Sequence, residues 1–330
     1  MKNIVIPWLK APAARWRSAL EDGRTPHAVM LIGPRGVGKR AMARWMAEQK
    51  LGRSTATQPE YREDEVELPD LALVRPEEEK TTIGIDQIRG LIASTGLTSY
   101  EGSGKAAIIE PANAMTREAA NSLLKTLEEP PGDMLIILVA DRTGAMPATI
   151  FSRCQQVGVA VPPEEVALDW LHHLSSSADW RVALDFAGGA PLVALELLES
   201  LDVLKEMASD FHGVAKRSSA PTAVAAKWSK LDTPMVLNWL SSEVLKCTKA
   251  RSGCEKWAGV LALDNSVLQR MDTRKLICYL DIINRLRASP KGSFNVQLML
   301  ERLLIDWADG LKHVSWHDNF DGLSQIQATG

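Results

Sequence analysis

Apolar residues in the first half of the chain form short runs, and segments with helical periodicity separate these runs. Apolar runs of about four to eight residues between turns are typical of strands in a parallel sheet that helices cover on both faces. The pattern therefore predicts an α/β first domain with five strands, at residues 28–32, 71–74, 106–109, 134–140 and 155–159.

Two segments between these runs repeat apolar residues at the spacing of a helix face. The first, Ile88 to Ile92, follows Asp86, which is a suitable N-cap. The second begins near Thr116 and must end before Pro130, because proline disfavours helical geometry in the residue before it. We expect this second helix to bury Ala119, Ala120, Leu123, Leu124 and Leu127.

The pattern changes after Pro162-Pro163, where strand-like runs end and helical periodicity continues toward the C-terminus. Residues 188–191 and 218–221 carry the turn residues that separate helices. Three apolar stripes beyond them predict an all-helical bundle, since such stripes are more often packed core than a cofactor site. The stripes are Leu237, Leu240, Val244 and Leu245; then Leu276, Leu280, Ile283 and Leu286; then Val296, Met299, Leu300, Leu303, Leu304 and Trp307.

A length of 330 residues predicts two or three domains, each with a core of its own. The chain has 38 Lys and Arg against 41 Asp and Glu, a formal net charge of −3, and the acidic stretch 60–67 is expected to be a solvated loop. A protein that holds DNA by itself usually carries a basic stripe that neutralises phosphates. The charge therefore argues against autonomous DNA binding, although a basic face on one domain stays open.

The apolar runs are too short for a membrane span, which needs roughly 18 residues. The N-terminal segment mixes Pro7, Lys10, Arg15 and Arg17 with its apolar residues, unlike a signal peptide. We therefore expect a cytoplasmic protein that does not associate with membranes. Four cysteines without a Cys-x-x-Cys pair predict reduced thiols rather than a disulfide framework.

A glycine-rich turn between the first strand and the next helix follows the phosphate-loop pattern G-x-x-x-x-G-K-[ST] at all positions but the last. It reads Gly33-Pro34-Arg35-Gly36-Val37-Gly38-Lys39-Arg40. Backbone N–H groups at Gly33, Gly36 and Gly38 can approach an anion closely, and Lys39 can reach the β- and γ-phosphates. The turn is a candidate site for ATP or ADP; the alternative is that its glycines only ease the bend of the chain.

The last position of this turn and the acidic strand argue against hydrolysis. Arg40 stands where Ser or Thr would bind Mg²⁺, and a guanidinium has no lone pair for a metal. Glu110-Pro111 stands where an Asp-Glu pair would hold the metal and orient water; Glu110 could still contact a metal, but Pro111 can orient no water. We expect a dead or very slow ATPase. Whether nucleotide binds stays open, since Arg40 could instead fill the pocket.

The segment Ala119 to Pro131 resembles the helix after the acidic strand in clamp-loader subunits of DNA polymerase III. Ser152-Arg153-Cys154 is similar to the S-R-C motif of the same proteins, and Pro7-Trp8-Leu9 and Pro69-Asp70 also fit. The chain thus resembles the bacterial clamp-loader branch of the AAA+ proteins, and most closely the members with a degenerate nucleotide site. Specific motifs cover residues 1 to 195, and the remainder matches only in length and helical character.

This resemblance implies an AAA+ P-loop domain at residues 1–160, a small helical lid at 161–208 and an all-helical collar that oligomerises at 209–330. It also implies that Arg153 acts in trans as an arginine finger and completes the ATP site of a neighbouring subunit. The implied partners are the delta and tau/gamma subunits, the beta sliding clamp, and primed DNA contacted through the assembled complex. Membership of the DNA-directed DNA polymerase III holoenzyme follows, without a polymerase site in this chain.

Several positions depart from the pattern of the ATP-hydrolysing members. Leu192 stands where such a member places a sensing arginine, and Asp141 stands near the polar residue that senses the γ-phosphate. Many members carry a four-cysteine zinc module after the phosphate-loop helix, but residues 51–71 contain no cysteine, so we expect no zinc. Cys154 is expected to be a small buried residue beside the finger and not a nucleophile.

Three functions are compatible with the sequence. The favoured one is a non-hydrolysing clamp-loader subunit that supplies Arg153 and supports ATP-dependent loading of the sliding clamp during replication. The second is an active AAA+ ATPase of the tau/gamma type, against which Arg40 and Pro111 argue. The third is a small-molecule P-loop kinase, which the S-R-C motif and the helical C-terminal third disfavour.

Overall fold

The computed structural model describes residues 4–62, 67–78, 80–95, 104–141, 146–176, 178–253, 265–289 and 294–314. The chain divides into two compact units. The first comprises Met1–Trp180 with Gly189–Glu196, and the second comprises Arg181–Gly188 with Leu197–Gly330. The three-domain division with boundaries after residues 160 and 208 stays a prediction.

All five predicted strands form in the first unit, and their ends lie within one residue of the expected ones. Two further short strands form that the sequence pattern did not indicate. In chain order the strands are β1 (Ile4–Val5), β2 (Ala28–Ile32), β3 (Glu60–Tyr61), β4 (Leu71–Val74), β5 (Lys105–Ile109), β6 (Met134–Ala140) and β7 (Gln155–Gly158).

The five longer strands form one parallel sheet in the order β4-β5-β6-β2-β7, which confirms the predicted sheet. β6 lies at its centre, and all seven residues of this strand are buried. Successive side chains of a strand point to opposite faces, so both faces of the sheet must be covered. Because all strands run the same way, their carboxyl ends meet at one edge of the sheet and their amino ends meet at the other.

The two short strands, β1 and β3, pair antiparallel in a small separate sheet, with Ile4 opposite Tyr61 and Val5 opposite Glu60. The expectation of a solvated loop is therefore wrong at Glu60 and Tyr61, while residues 63–66 of that stretch lie outside the described residues. Two-residue strands are too short to leave a periodic pattern in the sequence. Their pairing joins segments about 55 residues apart, so it depends on tertiary contacts.

Helices cover both faces of the parallel sheet. One face packs in a common core with the third and fourth helices, and the second helix packs on β2, β5 and β6. In chain order, the helices up to residue 196 are α1 (Lys10–Glu21), α2 (Lys39–Lys50), α3 (Ile85–Thr95), α4 (Arg117–Glu128), α5 (Ala148–Phe151), α6 (Glu164–Leu174), α7 (Trp180–Phe186) and α8 (Pro191–Glu196).

The start and end of α4 agree with the sequence. The Thr116 hydroxyl accepts a hydrogen bond from the Ala119 N–H at 3.2 Å, and the helix ends at Glu128, before the two prolines. The predicted apolar face is buried except for Leu124, which is half-buried against the same core. The predicted cap of α3 is wrong, because this helix begins at Ile85 and places Asp86 inside its first turn.

The second unit is helical in the residues that the structure describes, as predicted. Its core is rich in aromatic side chains, with Phe211 stacked on Trp307 at 4.2 Å between ring centroids and Trp307 stacked on Tyr279 at 5.9 Å. The unit contains α7 from residue 181 onward and, beyond α8, the helices α9 (Leu201–Ala215), α10 (Pro221–Trp228), α11 (Thr233–Arg251), α12 (Asn265–Leu268), α13 (Thr273–Ala288) and α14 (Val296–Ala308).

The predicted apolar stripes of α11, α13 and α14 are buried or half-buried with one exception. Leu245 is 44% exposed, so its assignment to the buried face of α11 is wrong. The residue that completes that face is Cys247, which is fully buried. No helix of the described residues is both long and apolar enough to span a membrane. Cys254 lies outside the described residues.

Candidate functional site

Three loops meet at the carboxyl edge of the sheet and line a cavity of about 900 Å³. Gly33 follows β2, Glu110 follows β5, and Asp141 follows β6. Ligands of open α/β sheets bind at this edge, in the crevice beyond the strand ends. The predicted phosphate loop, the acidic residue and the polar residue after the fourth predicted strand are therefore brought together as the sequence suggests.

The glycine-rich turn is closely packed from its first residue. The Gly33 N–H donates to the Ala140 carbonyl at 3.3 Å, and a Cβ built on Gly33 would lie 1.9 Å from the Val159 carbonyl oxygen. Gly38 directly precedes α2, and its carbonyl accepts the Met42 N–H. The turn thus has the strand-to-helix context that a phosphate loop needs.

The middle glycine of the turn, Gly36, contacts α8. Its φ is +76°, a conformation that side chains other than hydrogen disfavour. The Leu192 N–H donates to the Gly36 carbonyl at 3.0 Å, and a Cβ on Gly36 would lie 2.4 Å from Cγ2 of Val193. Leu192 therefore approaches the loop through its backbone, and its side chain brings no charge to the cavity.

The lysine of the loop, Lys39, is bound by polar groups of its own chain. Lys39 is 4% exposed. Its Nζ donates to the carbonyl oxygens of Gly33 at 2.8 Å and Pro34 at 2.6 Å, and to Oδ1 of Asp141 at 2.8 Å. Three partners use the three donors of an ammonium group.

Arg40 lies against the acidic residue of the third predicted strand. Its Nε is 3.0 and 2.8 Å from the two carboxylate oxygens of Glu110. Arg75 also donates to Glu110, at 3.2 Å. Both oxygens of this carboxylate therefore face guanidinium groups. A metal ion would need these oxygens as ligands, but the two cations occupy that place.

The charges that line the cavity are matched in number and in position. Among the described residues, five basic and five acidic side chains line it, and each basic one lies within 4 Å of an acidic one. The cavity therefore presents no net charge to an anion. The pairs are Arg35–Glu196 at 2.8 Å, Lys39–Asp141 at 2.8 Å, Arg40–Glu110 at 2.8 Å, Arg44–Glu48 at 3.0 Å, and Arg62 with Glu48 at 2.8 Å and Glu60 at 3.6 Å.

Arg153 lies in a different part of the first unit and does not line the cavity. It follows α5 and precedes β7, so it sits at the amino edge of the sheet. Its Nε donates to Oε1 of Glu128 at 2.6 Å, its Nη2 contacts the same oxygen, and its Nη1 donates to the Thr149 carbonyl at 3.0 Å and to Oγ of Ser152 at 3.2 Å. The Arg153 side chain remains 31% exposed.

Cys154, the next residue, is buried, with 8% of its surface exposed. Burial raises the pKa of its thiol to about 12, because a thiolate would lose its hydration there. Since the thiolate is the reactive form, Cys154 is a packing residue, as the sequence predicts.

The sequence indicated Gly33, Gly36, Gly38, Lys39, Arg40, Glu110 and Asp141, and the structure places all of them at the carboxyl edge of the sheet. The sequence did not indicate the acidic partners Glu48, Glu60 and Glu196, because charged residues in a helix or loop give no local signal of a distant partner. Glu128 could have been suspected as a polar residue of the segment that resembles the clamp loaders. No cluster of His, Cys, Asp and Glu able to hold a metal ion occurs among the described residues.

The parallel sheet with β2 between β6 and β7, the glycine-rich turn after β2 and the helices that follow the sheet define an AAA+ fold of the P-loop class. The family described as "DNA polymerase III, delta subunit" matches residues 9–162, and the one described as "DNA polymerase III, delta subunit, C terminal" matches residues 199–309. The chain belongs to the delta' subunit family of the DNA polymerase III clamp loader.

Two delta' relatives support this assignment over most of the chain. The DNA polymerase III subunit delta' of Pseudomonas aeruginosa is 30% identical in an alignment of 332 positions that spans 92% of this chain and 97% of that protein. Subunit delta' of Haemophilus influenzae is 27% identical and covers 90% and 94%, respectively. A DNA polymerase III gamma subunit-related protein of Thermotoga maritima, known from a crystal structure, is 18% identical with a TM-score of 0.48, and covers 89% of this chain and 98% of its own.

Proposed function

We propose that this chain is a non-hydrolysing subunit of the clamp loader and supplies Arg153 to the ATP site of a neighbouring subunit. The observation that carries the proposal is the position of Arg153. It lies at the amino edge of the sheet, whereas the chain's own cavity lies at the carboxyl edge. The five residues of β2 alone separate these edges by about 15 Å. An arginine at that distance cannot act on a ligand in its own cavity.

The charges in the cavity support the absence of hydrolysis. A magnesium–nucleotide complex needs a lysine free to contact phosphate and a hydroxyl and a carboxylate free to hold the metal. Here Lys39 is bound to Asp141, Arg40 replaces the hydroxyl, and Glu110 is held by two guanidinium groups. The residues present do not fit this complex, because binding it would break several ion pairs before any new contact formed.

The chemistry of Arg153 supports its role toward another subunit. A guanidinium at a protein surface can donate to two oxygens of a phosphoryl group and offset the negative charge that develops during transfer. Arginine fingers of this kind contribute about 10³ to 10⁵ in rate. Because Arg153 is partly exposed and fixed by Glu128 and Thr149, it is accessible to a partner without unfolding of its surroundings.

The proposed partners are the delta and tau/gamma subunits in a hetero-oligomer, together with the beta sliding clamp. Primed DNA would be contacted through the assembled complex, since the chain carries a formal net charge of −3. In this arrangement the tau/gamma subunits hydrolyse ATP. This chain contributes a fixed surface and one catalytic side chain to the work of the assembly.

The test is ATP turnover by the purified chain, alone and in a complex reconstituted with its delta and tau/gamma subunits, with wild type and Arg153→Ala compared. We expect no turnover by the chain alone. In the complex, Arg153→Ala should lower DNA-stimulated turnover at the site it serves by about 10³-fold or more. The total rate then falls to that of the remaining sites.

Arg15→Ala is the matched control, because Arg15 is an exposed arginine on α1 without a close acidic partner among the described contacts. It should assemble and turn over ATP like wild type. Unchanged turnover in the Arg153→Ala complex would refute the finger role. Turnover by the chain alone would instead favour an active ATPase of the tau/gamma type.

A further inference from the structure

Almost all hydrogen-bond donors of the Arg153 guanidinium are used by acceptors of the same chain. A guanidinium has five N–H donors. The Nε–H and one Nη2–H face Oε1 of Glu128, and the two Nη1 donors face the Thr149 carbonyl and Oγ of Ser152. One Nη2–H therefore stays available to an outside acceptor. The three neighbours restrict a long side chain to one orientation.

Glu128 is the only charged residue among these three neighbours, and its position is itself fixed. It is the last residue of α4, and the carbonyl of the preceding residue, Leu127, is 2.8 Å from Nε2 of His27. His27 directly precedes β2, at the same edge of the sheet as Arg153. The end of α4 is thus attached to the sheet at the point where its carboxylate meets the guanidinium.

We propose that Glu128 is the positioning residue of Arg153, which keeps the guanidinium extended and oriented for the phosphoryl group bound by a neighbouring subunit. This inference rests on the proposed role of Arg153 as a finger. Glu128 does not touch the nucleotide in this arrangement. It acts by removing rotamer freedom from Arg153 before the neighbour binds.

The geometry favours positioning over sequestration. Oε1 alone accepts both donors from Arg153, so the carboxylate holds one side of the guanidinium and leaves an Nη2–H free. Both partners are partly exposed, 31% for Arg153 and 49% for Glu128, so water weakens their attraction. A polyphosphate, which carries a higher charge than a carboxylate, can therefore bind the remaining Nη2–H or compete with Glu128 for the other donors.

The experiment uses the reconstituted complex and compares ATP turnover for Glu128→Ala, Glu128→Gln, Arg153→Ala and the double variant of Glu128→Ala with Arg153→Ala. Glu128→Ala should lower the kcat of the Arg153-dependent turnover about three- to tenfold and leave the KM for ATP unchanged, because the nucleotide is bound by the neighbour. Glu128→Gln keeps an oxygen acceptor and should restore part of the rate.

Glu129→Ala is the matched control, since Glu129 is the adjacent exposed glutamate and makes no side-chain contact with Arg153. It changes the net charge equally and should leave kcat unchanged. The double variant lacks the guanidinium that Glu128 would orient, so loss of Glu128 should have no further effect and the rate should equal that of Arg153→Ala alone. A merely structural role of Glu128 would instead lower both rates and the yield of assembled complex.

The outcomes separate the two proposals. If Arg153→Ala has no effect on turnover, the finger role is wrong and the positioning role falls with it. If Arg153→Ala lowers turnover but Glu128→Ala does not, the finger role stands and the positioning role is wrong. A rise in turnover with Glu128→Ala would show that the carboxylate restrains Arg153 instead of orienting it, and would also overturn the proposal.

Discussion

Gly36 shows how a single residue joins the phosphate loop to α8. Its φ of +76° is strained for any residue with a Cβ, and a Cβ would lie 2.8 Å from the backbone nitrogen of Val193 as well as 2.4 Å from its Cγ2. In an ordinary phosphate loop a small residue permits close approach of a ligand. Here Val193 of α8 occupies part of the space beside Gly36.

Gly36→Ala should destabilise the first unit through both effects, by about 2 to 4 kcal/mol in the free energy of unfolding. Chemical denaturation of the purified chain measures this change. Gly23→Ala is the control, because Gly23 has a similar φ of +64° with no atom within 4 Å of a built Cβ. It should cost only the backbone strain, about 1 to 2 kcal/mol. Equal losses in both variants would contradict the close packing of α8 on Gly36.

At the same scale, Arg40 shows a residue that the sequence identified correctly without revealing its partner. The substitution of arginine for Ser or Thr is visible in the motif. The contact of its Nε with both oxygens of Glu110, 70 residues later, depends on β2 and β5 ending at the same edge of one sheet. The sequence left open whether Arg40 fills the cavity, and the structure shows its Nε paired with Glu110, which lines the same cavity.

Among the elements, α4 runs from the carboxyl edge of the sheet, near the cavity, to the amino edge, where Arg153 lies. It begins at Arg117, after the loop that carries Glu110, and ends at Glu128 beside Arg153. Twelve helical residues span about 18 Å, close to the depth of the sheet. Its buried residues share one core with β5 and β6, so both of its ends are fixed by the same packing.

In the second unit, α11 carries a buried acidic residue. Glu243 is 4% exposed, and its Oε1 accepts from Nζ of Lys246 at 2.8 Å. Lys246 also lies 3.7 Å from Asp185 and above the ring of Phe186. Burial raises the pKa of Glu243 above its ordinary value, and the nearby Lys246 only partly opposes this effect.

Because the folded state favours the protonated form of Glu243, the stabilising contribution of this group is fully present below its ordinary pKa of 4.5. It is lost as the pH rises through the raised pKa. Glu243→Gln puts a neutral polar group at this position at every pH. The free energy of unfolding of the variant, relative to that of the wild type, should therefore be higher at pH 8 than at pH 5. Denaturation at both pH values measures the difference, with Glu199→Gln, the same substitution at an exposed position, as the control. A difference independent of pH would contradict the raised pKa.

At the scale of the whole molecule, the division into two compact units predicts that a destabilising substitution in one unit leaves the other folded. Leu303 in α14 is 2% exposed, and its carbonyl accepts the Tyr279 hydroxyl at 2.7 Å. A buried, unpaired charge at this position is strongly unfavourable. We therefore expect Leu303→Asp to unfold the second unit and, as a consequence, to prevent assembly of the proposed complex.

Leu303→Asp should lower the free energy of unfolding of the second unit by at least about 3 kcal/mol. Hydrogen exchange should show lost protection in α13 and α14, while β6 of the first unit stays protected. Leu298→Asp is the control on the same helix, since Leu298 is 49% exposed and the change should stay within about 0.5 kcal/mol. Equal loss of protection in β6 would mean that the two units unfold together.

Local sequence patterns are sufficient to specify the five strands of the parallel sheet, the start of α4 near Thr116, the helical second unit and the glycine-rich turn with its missing hydroxyl. These features follow from periodicity, capping and turn chemistry, which act between residues close in sequence. Other features depend on long-range packing: the pairing of Arg35 with Glu196, 161 residues away, the small sheet of β1 and β3, and the contact of Arg153 with Glu128. Such contacts form because packed elements bring distant side chains together, and charged residues carry no local sign of which distant partner they will meet.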